Sequence, residues 1–245
     1  MNKHIIITGG SSGIGKGIAA HFYHKEWQVL VTGRDKKKLS DVKAEMPVIN
    51  ILEYDSLKDS DERIIDFIKN EWDASLDILI NNAGHVELET LKDLSSASME
   101  NMYRSHLIAP SLLTSHCIEF LERTKGHILN ISSSHGIKAY PQTTAYGSAK
   151  AGLNFLTKVW ALELAPLGIR VNTIAPGPTE TGILNSAGFS DEMIAIIHEN
   201  EKKSIPMQRR GTINDIVVNA TALLDSGSNW LTGVILSVDG GISIS

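Results

Sequence analysis

The 245-residue chain has one cysteine, Cys117. An intramolecular disulfide and a thiolate-built metal site are therefore both excluded, and no metal is expected. Cys117 lies in an apolar helical stretch, which suits a buried structural thiol. There is no dense run of one charge. The formal net charge is -5, and the tightest basic cluster, Arg34 to Lys38, is short and flanked by acids. A nucleic-acid partner is not expected. The apolar run Ile5-Ile6-Ile7 that follows Met1-Asn2-Lys3-His4 is too short for a signal peptide or a membrane span. Seven prolines are spread without a Pro/Ser-rich linker, and there is neither a low-complexity tract nor a repeat. What remains is 42% hydrophobic and 21% charged, the balance of a globular protein with ample core. A cytoplasmic location without membrane contact is expected.

Short β-rich runs alternate with longer helical ones. Strands are expected at Ile5–Thr8, Gln28–Thr32, Val48–Leu52, Leu76–Asn81, Gly126–Ile131, Ile169–Ile174 and Val234–Val238. Helices are expected at Gly13–Lys25, Lys36–Glu45, Leu57–Trp72, Ser98–Arg123 (with a kink at Pro110), Thr144–Leu167 and Ile213–Leu224. Continuous apolar strands separated by helices predict a parallel sheet covered on both faces. The fold class is α/β: a Rossmann-like, doubly wound, seven-stranded parallel sheet, with residues 1–245 as one domain. In such sheets ligands bind beyond the carboxyl ends of the strands.

The residues just after each strand therefore come first. Strand one runs into Thr8-Gly9-Gly10-Ser11-Ser12-Gly13-Ile14-Gly15. Glycine allows the tight turn, and a helix N-terminus offers N–H groups and a positive dipole end to a pyrophosphate. The candidate cofactor contacts here are Gly9, Ser11, Ser12, Gly13, Ile14 and Gly15. A Gly-rich turn with no ligand is the plainer alternative, and the G-x-G-x-x-G spacing is absent. Strand two ends at Gly33-Arg34. An acid at this place would bind a ribose 2′-hydroxyl, whereas a guanidinium can clamp a 2′-phosphate. NADP(H) is expected, with NAD(H) as the alternative, although Asp35 could draw the guanidinium away. Asp55 or Ser56 could cap the helix expected from Leu57. Asn81-Asn82-Ala83-Gly84 follows strand four. Strand five runs into Ser132-Ser133-Ser134-His135-Gly136, and Tyr146 and Lys150 stand further on at i and i+4 of a helix, so the two share one face.

Taken together and in this order, these motifs resemble the short-chain dehydrogenase/reductase family. The TGxxxGIG turn, the NNAG motif, an upstream serine and the YxxxK pair are all matched, and the resemblance continues to Val238-Asp239-Gly240-Gly241. It implies hydride transfer between a nicotinamide cofactor and a carbonyl or secondary-alcohol substrate of small size. Ser133, selected by the Gly three residues after it, Tyr146 and Lys150 would be catalytic. Tyr146 would act as proton donor and acceptor, Ser133 would hold the substrate oxygen, and Lys150 would lower the phenol's pKa and grip the nicotinamide ribose. Asp55 would contact the adenine. Asn82, Ala83 and Gly84 would form the cofactor floor. Pro176, Gly177, Thr179 and Thr181 would hold the carboxamide and phosphates. One departure is His106, which stands where the family has an asparagine whose backbone carbonyl holds a relay water. The histidine either preserves that water or adds a titratable group, and a passive packing role is the alternative. The substrate loop is expected around residues 178–210, with Ile183, Leu184, Phe189, Met193 and Met207 as its apolar residues and His135 and Tyr140 at the pocket edge. A 3-oxoacyl thioester, a sugar, a steroid-like or a secondary-metabolite ketone would fit. The resemblance also implies a homo-oligomer, tetramer or dimer. A non-catalytic NADP(H)-binding regulator or sensor, and a cofactor-recycling isomerase or epimerase, are the rival readings.

Overall fold

Three consecutive isoleucines, Ile5 to Ile7, are completely buried, because their strand is covered by helices on both faces. The computed structural model describes residues 3–224, 227 and 229–245; Met1 and Asn2, read above with the N-terminal run, lie outside this set. The strands are β1 (His4–Ile7), β2 (Gln28–Gly33), β3 (Asn50–Glu53), β4 (Ile78–Asn81), β5 (His127–Ile131), β6 (Arg170–Pro176) and β7 (Ile235–Val238). They form one sheet in the order β3-β2-β1-β4-β5-β6-β7, parallel throughout. The helices are α1 (Gly13–His24), α2 (Lys36–Glu45), α3 (Glu62–Glu71), α4 (Ser96–Tyr103), α5 (Ala109–Thr124), α6 (Thr144–Leu164), α7 (Ile183–Ser186), α8 (Asp191–Ser204) and α9 (Ile213–Leu224).

Side chains alternate across the sheet with the two-residue period of a strand. Ile5 and Ile7, Val29 and Val31, and Ile78 and Ile80 pack with Ile18 and Phe22 of α1 and Ile216 and Ala220 of α9. Ile6, Leu30, Leu79 and Ile128 face the opposite layer with Ile64 and Ile68 of α3, Cys117 and Phe120 of α5, and Leu164 of α6. Burial pushes the Cys117 thiol well up, as befits a packing residue.

Three stretches depart from the expectation. The helix expected from Leu57 begins only at Glu62. The Asp55 carboxylate accepts from the Leu57 N–H at 3.1 Å and holds a local turn instead of capping a helix. The long helix expected over Ser98–Arg123 is interrupted by a π-helical turn, Arg104–Ile108. Pro110 has no N–H, so the carbonyl four residues earlier, that of His106, loses its α-helical partner and the backbone widens just ahead of the proline. The region around 178–210 carries α7 and α8 where no helix is expected.

The strand order reverses direction at β1, between β2 and β4. Around this switch point the strand ends open onto one cleft.

Candidate functional site

The cleft encloses about 660 Å³. Of the nineteen expected site residues, all but Gly15 line it. Gly15 sits beneath the turn: a Cβ there would lie 2.5 Å from Asn82 Nδ2 and 2.7 Å from the Gly9 carbonyl oxygen.

The glycine turn is pinned to β4. Thr8 Oγ1 donates to the Ile80 carbonyl and accepts from the N–H groups of Asn82 and Ala83 at 3.0 and 3.1 Å. Asn82 Nδ2 donates to the carbonyls of Thr8 and Gly9. Gly9 has φ +63°, and a Cβ there would meet the Ala83 backbone at 2.8 Å. The turn thus needs glycine both for its conformation and for space. Helix α1 follows with no acid in its first turn and no side-chain cap from Ser12, which leaves its positive end facing the cleft.

At the end of β2, Arg34 is exposed and lines the cleft. Asp35 does not hold it: the Asp35 carboxylate caps α2 by accepting from the Lys38 N–H at 3.0 Å. Lys36 pairs with Glu53, and Lys38 joins Arg34 at the cleft wall. A Cβ on Gly33 would lie 3.0 Å from Ser11 Oγ, so a side chain there would need that hydroxyl to turn aside.

Beneath the cleft lies a buried polar ladder. Asn81 Nδ2 donates to Thr114 Oγ1 and Asn130 Oδ1, Asn130 Nδ2 donates to Thr157 Oγ1, and Thr157 meets Thr173 at 2.7 Å. It ties β4, β5 and β6 to α5 and α6, and so fixes the platform from which α6 presents its first turns.

Tyr146 and Lys150 project from the start of α6, both buried. Lys150 Nζ donates to the Ile131 carbonyl at 2.8 Å and lies 5.8 Å from the centre of the Tyr146 ring. The serine triplet resolves by direction. Ser132 Oγ donates to the Lys150 carbonyl, Ser134 is buried away from the cleft, and Ser133 lines the cleft together with Tyr146. Burial raises the Tyr146 pKa above its usual value, while the Ser133 hydroxyl pulls it back in part. Burial pushes the Lys150 ammonium down to about 7. Burial thus favours the uncharged form of both groups. Gly136 allows this assembly: a Cβ there would lie 2.7 Å from the Lys150 carbonyl carbon.

His106, in the middle of the π turn, points its ring edge at Tyr146, with centroids 5.4 Å apart and planes at 79°. Its Nε2 lies 2.8 Å from the His85 carbonyl, which can only accept, so Nε2 carries the proton. Gly84 makes room for the ring, since a Cβ there would lie 2.2 Å from His106 Cε1. Burial first, then the nearby Lys150, hold the His106 pKa well below its usual value. The ring is neutral, and its Nδ1 is a buried acceptor with no partner among the described residues. His106 and Lys150 also border a second cavity of about 20 Å³, the size of one water.

The neutral ring gives a pH prediction. A histidine whose folded pKa is depressed binds its proton more readily in the unfolded chain, so stability falls as pH drops below about 6.5 toward the folded pKa. His106→Asn is expected to reduce the loss of thermal stability between pH 7 and pH 5, and to leave the pH–rate profile above pH 7 unchanged. A shifted profile in that range would mean that the ring titrates during turnover.

On the substrate side, Ile183, Leu184, Phe189 and Met193 line the cleft together with Val86 and Leu88. Met207 does not; it is 64% exposed. Nor does Tyr140, whose ring packs tilted against His135 at 4.5 Å, while His135 lines the wall itself. Thr179 Oγ1 donates to the Gly177 carbonyl, and Arg210 donates to the Thr179 carbonyl at 2.7 Å and pairs with Glu201. Sequence reasoning missed Thr8, Lys38, His85, Gln142 and Arg210. Only Thr8 carried a signal, as the residue that opens the glycine turn.

The comparisons with known proteins point to one family. A family model described as enoyl-(acyl-carrier-protein) reductase matches residues 9–243. The 3-oxoacyl-(acyl-carrier-protein) reductase FabG of Chlamydia muridarum is 31% identical, over 99% of this chain and 98% of its own. The short-chain dehydrogenase/reductase FrzI of a Cladobotryum species is 29% identical, over 99% of this chain and 96% of its own. A solved short chain dehydrogenase of Bacillus anthracis superposes with a TM-score of 0.87 at 30% identity, covering 99% of this chain and 97% of that one. The RhlG/NADP active-site complex of Pseudomonas aeruginosa does so with a TM-score of 0.89 at 27% identity, covering 99% and 96%. No helix among the described residues is long and apolar enough to cross a membrane. This chain belongs to the short-chain dehydrogenase/reductase family, the NAD(P)-dependent oxidoreductases that act on CH–OH and ketone groups.

Proposed function

We propose that the chain is an NADP(H)-dependent reductase of a partly apolar ketone, with Ser133, Tyr146 and Lys150 as its catalytic residues. The carrying observation is that Tyr146, Ser133 and Lys150 line one end of a cleft whose other end is a glycine turn beside Arg34, which has no partner among the described residues. FabG of Chlamydia muridarum is a ketone reductase by name, and RhlG was solved with NADP; both support the reading.

The residues fit a dinucleotide. Gly9, Ser11, Ser12 and Gly13 line the cleft at the α1 N-terminus, where a pyrophosphate would sit. Arg34 and Lys38 would take a 2′-phosphate, Asp55 the adenine, Asn82 to Gly84 the floor, and Pro176 to Thr181 the carboxamide end. A bound reduced nicotinamide supplies the hydride.

The protein's own part is proton handling and orientation. Tyr146, neutral because it is buried, is the acid that protonates the ketone oxygen. Ser133 donates a hydrogen bond to the same oxygen as negative charge develops. The Lys150 ammonium stabilises the phenolate that remains, which favours the charged form of the amine as the proton leaves. His106 contributes an acceptor, Nδ1, to the small cavity behind Lys150, and its freed backbone carbonyl stands in the same turn.

Residues 178–210, with α7 and α8, form the substrate loop of a single domain. The wall of Val86, Leu88, Ile183, Leu184 and Phe189 suits a substrate with an apolar body. Leu112, Phe155 and Leu162 are 52%, 67% and 80% exposed on α5 and α6, and we assign these faces to pairing in a homo-oligomer.

The test is a titration with NADPH and NADH, followed by a panel of ketones and an enoyl thioester. Tighter NADPH binding and net ketone reduction are expected. Binding without turnover of any substrate would favour a sensor, and preferential turnover of the enoyl thioester would replace the ketone.

A further inference from the structure

We propose that His135 is a positioning residue whose ring Nδ1–H, donated to Ser133 Oγ, aims the single Ser133 proton at the substrate carbonyl oxygen. The inference rests on the reading of Ser133 given above and extends it to a residue that the family motif does not specify.

The argument begins with the valence of a hydroxyl, which offers one donor and two acceptor sites. At Ser133 one acceptor site is filled by the backbone N–H of His135, at 3.2 Å. The second neighbour of the oxygen is His135 Nδ1, also at 3.2 Å. Two arrangements follow. If Nδ1 carries the proton, both acceptor sites are filled and the hydroxyl proton has only the cleft to point into. If Nδ1 is bare, it takes the hydroxyl proton, and Ser133 presents a lone pair to a carbonyl oxygen that needs a donor. Only the first arrangement lets Ser133 assist reduction, because a developing oxyanion needs a donor.

The geometry also keeps the pair in register. His135 lies in a 3₁₀ turn, Ser134–Gly136, closed by the Gly136 N–H on the Ser133 carbonyl at 2.9 Å. Gly136 is seated directly on the α6 backbone, and Asn154 Nδ2 donates to its carbonyl. The ring lies 4.5 Å from the Tyr140 ring and meets the Tyr146 ring in an edge contact at 5.8 Å. Moving the ring away from the hydroxyl would give up its contacts with both tyrosines. Burial also lowers its pKa, so the ring is neutral at the pH of an assay and its single proton has to choose between the two nitrogens.

Three variants and one spectrum test this. In His135→Asn the amide nitrogen takes the place of Nδ1 and keeps the donor. In His135→Gln the donor sits too far out, and His135→Leu has none. With the ketone that wild type reduces best, kcat for His135→Leu is expected to fall about tenfold, less than the 10²–10³-fold cost of removing an oxyanion donor outright. His135→Gln should be similarly slow, His135→Asn should recover most of the rate, and the KM for NADPH should stay unchanged in all three. A Leu variant at the wild-type rate, or an Asn variant as slow as Leu, would overturn the proposal. The spectrum is the ¹⁵N imidazole resonance pair of His135, assigned by its loss in His135→Asn. A protonated Nδ1 with a bare Nε2 is expected; the opposite tautomer overturns the proposal whatever the rates. If wild type reduces no ketone, the functional reading fails by that result, and the tautomer still decides the hydrogen bond on its own.

Discussion

Tyr146→Phe is expected to lower ketone reduction by about 10²–10⁴-fold, the usual contribution of a positioned general acid, with the NADPH dissociation constant left close to that of wild type. The substitution removes one oxygen and no packing. The ring stays against Val86, Met102, Ala145 and Ala149 and against the edges of His106 and His135. No cavity opens, so little stability is lost. The loss would fall on kcat, because the phenol acts on the oxygen as charge develops there. Rapid mixing under single-turnover conditions would measure it. A Phe variant that turns over at the wild-type rate would remove Tyr146 from the chemistry, and one that also loses NADPH binding would make the residue structural.

The second large effect concerns cofactor choice. Arg34→Ala is expected to weaken NADPH binding by about 10–150-fold, the equivalent of a charged hydrogen bond worth about 1.5–3 kcal/mol, and to leave NADH binding nearly unchanged. The reason is that Arg34 makes no hydrogen bond or ion pair among the described residues, whereas the next two residues are engaged: Asp35 with Lys38 N, Lys36 with Glu53. A guanidinium without a protein partner, at the mouth of the cleft, loses little in meeting a phosphate. Fluorescence titration with both cofactors would measure the effect. Equal loss for NADPH and NADH would show that Arg34 supports the β2 end in general and does not read the 2′ position.

Much of this was legible because buried parallel strands advertise themselves. Ile5-Ile6-Ile7 and Ile78-Leu79-Ile80 are apolar on both faces, and that has one meaning in a chain that alternates with helices. The helices α2 and α9 stand where the sequence puts them, since their apolar spacing and their caps agree. The glycine turn, the serine, the tyrosine and the lysine are all local motifs, and the sheet brings them together by placing its strand ends side by side.

Other features depend on contacts that a linear reading does not contain. The π turn at His106 reflects a missing N–H four residues later at Pro110. Gly84 reads as part of a loop, but its small size is required by a ring 22 residues away. Helix α8 did carry a local signal: Ser190 caps it by accepting from the Met193 N–H, and Asp191 and Glu192 occupy its first turn. Its polar surface hid it, with only Ile194 buried. Arg210 is nearly buried and reaches Thr179, 31 residues before it, so nothing in its neighbourhood announces the contact.

The account stands on hydride moving between the nicotinamide and a carbonyl carbon while Tyr146 handles the proton. NADPH deuterated at the transferring position, incubated with a reducible ketone in ordinary water, tests this by mass spectrometry of the product. The expected product is an alcohol with one deuterium on the carbinol carbon, formed in equal amount to the cofactor oxidised, and formed about 10²–10⁴-fold more slowly with Tyr146→Phe. An unlabelled product, or a substrate rearranged with the cofactor returned intact, would contradict it.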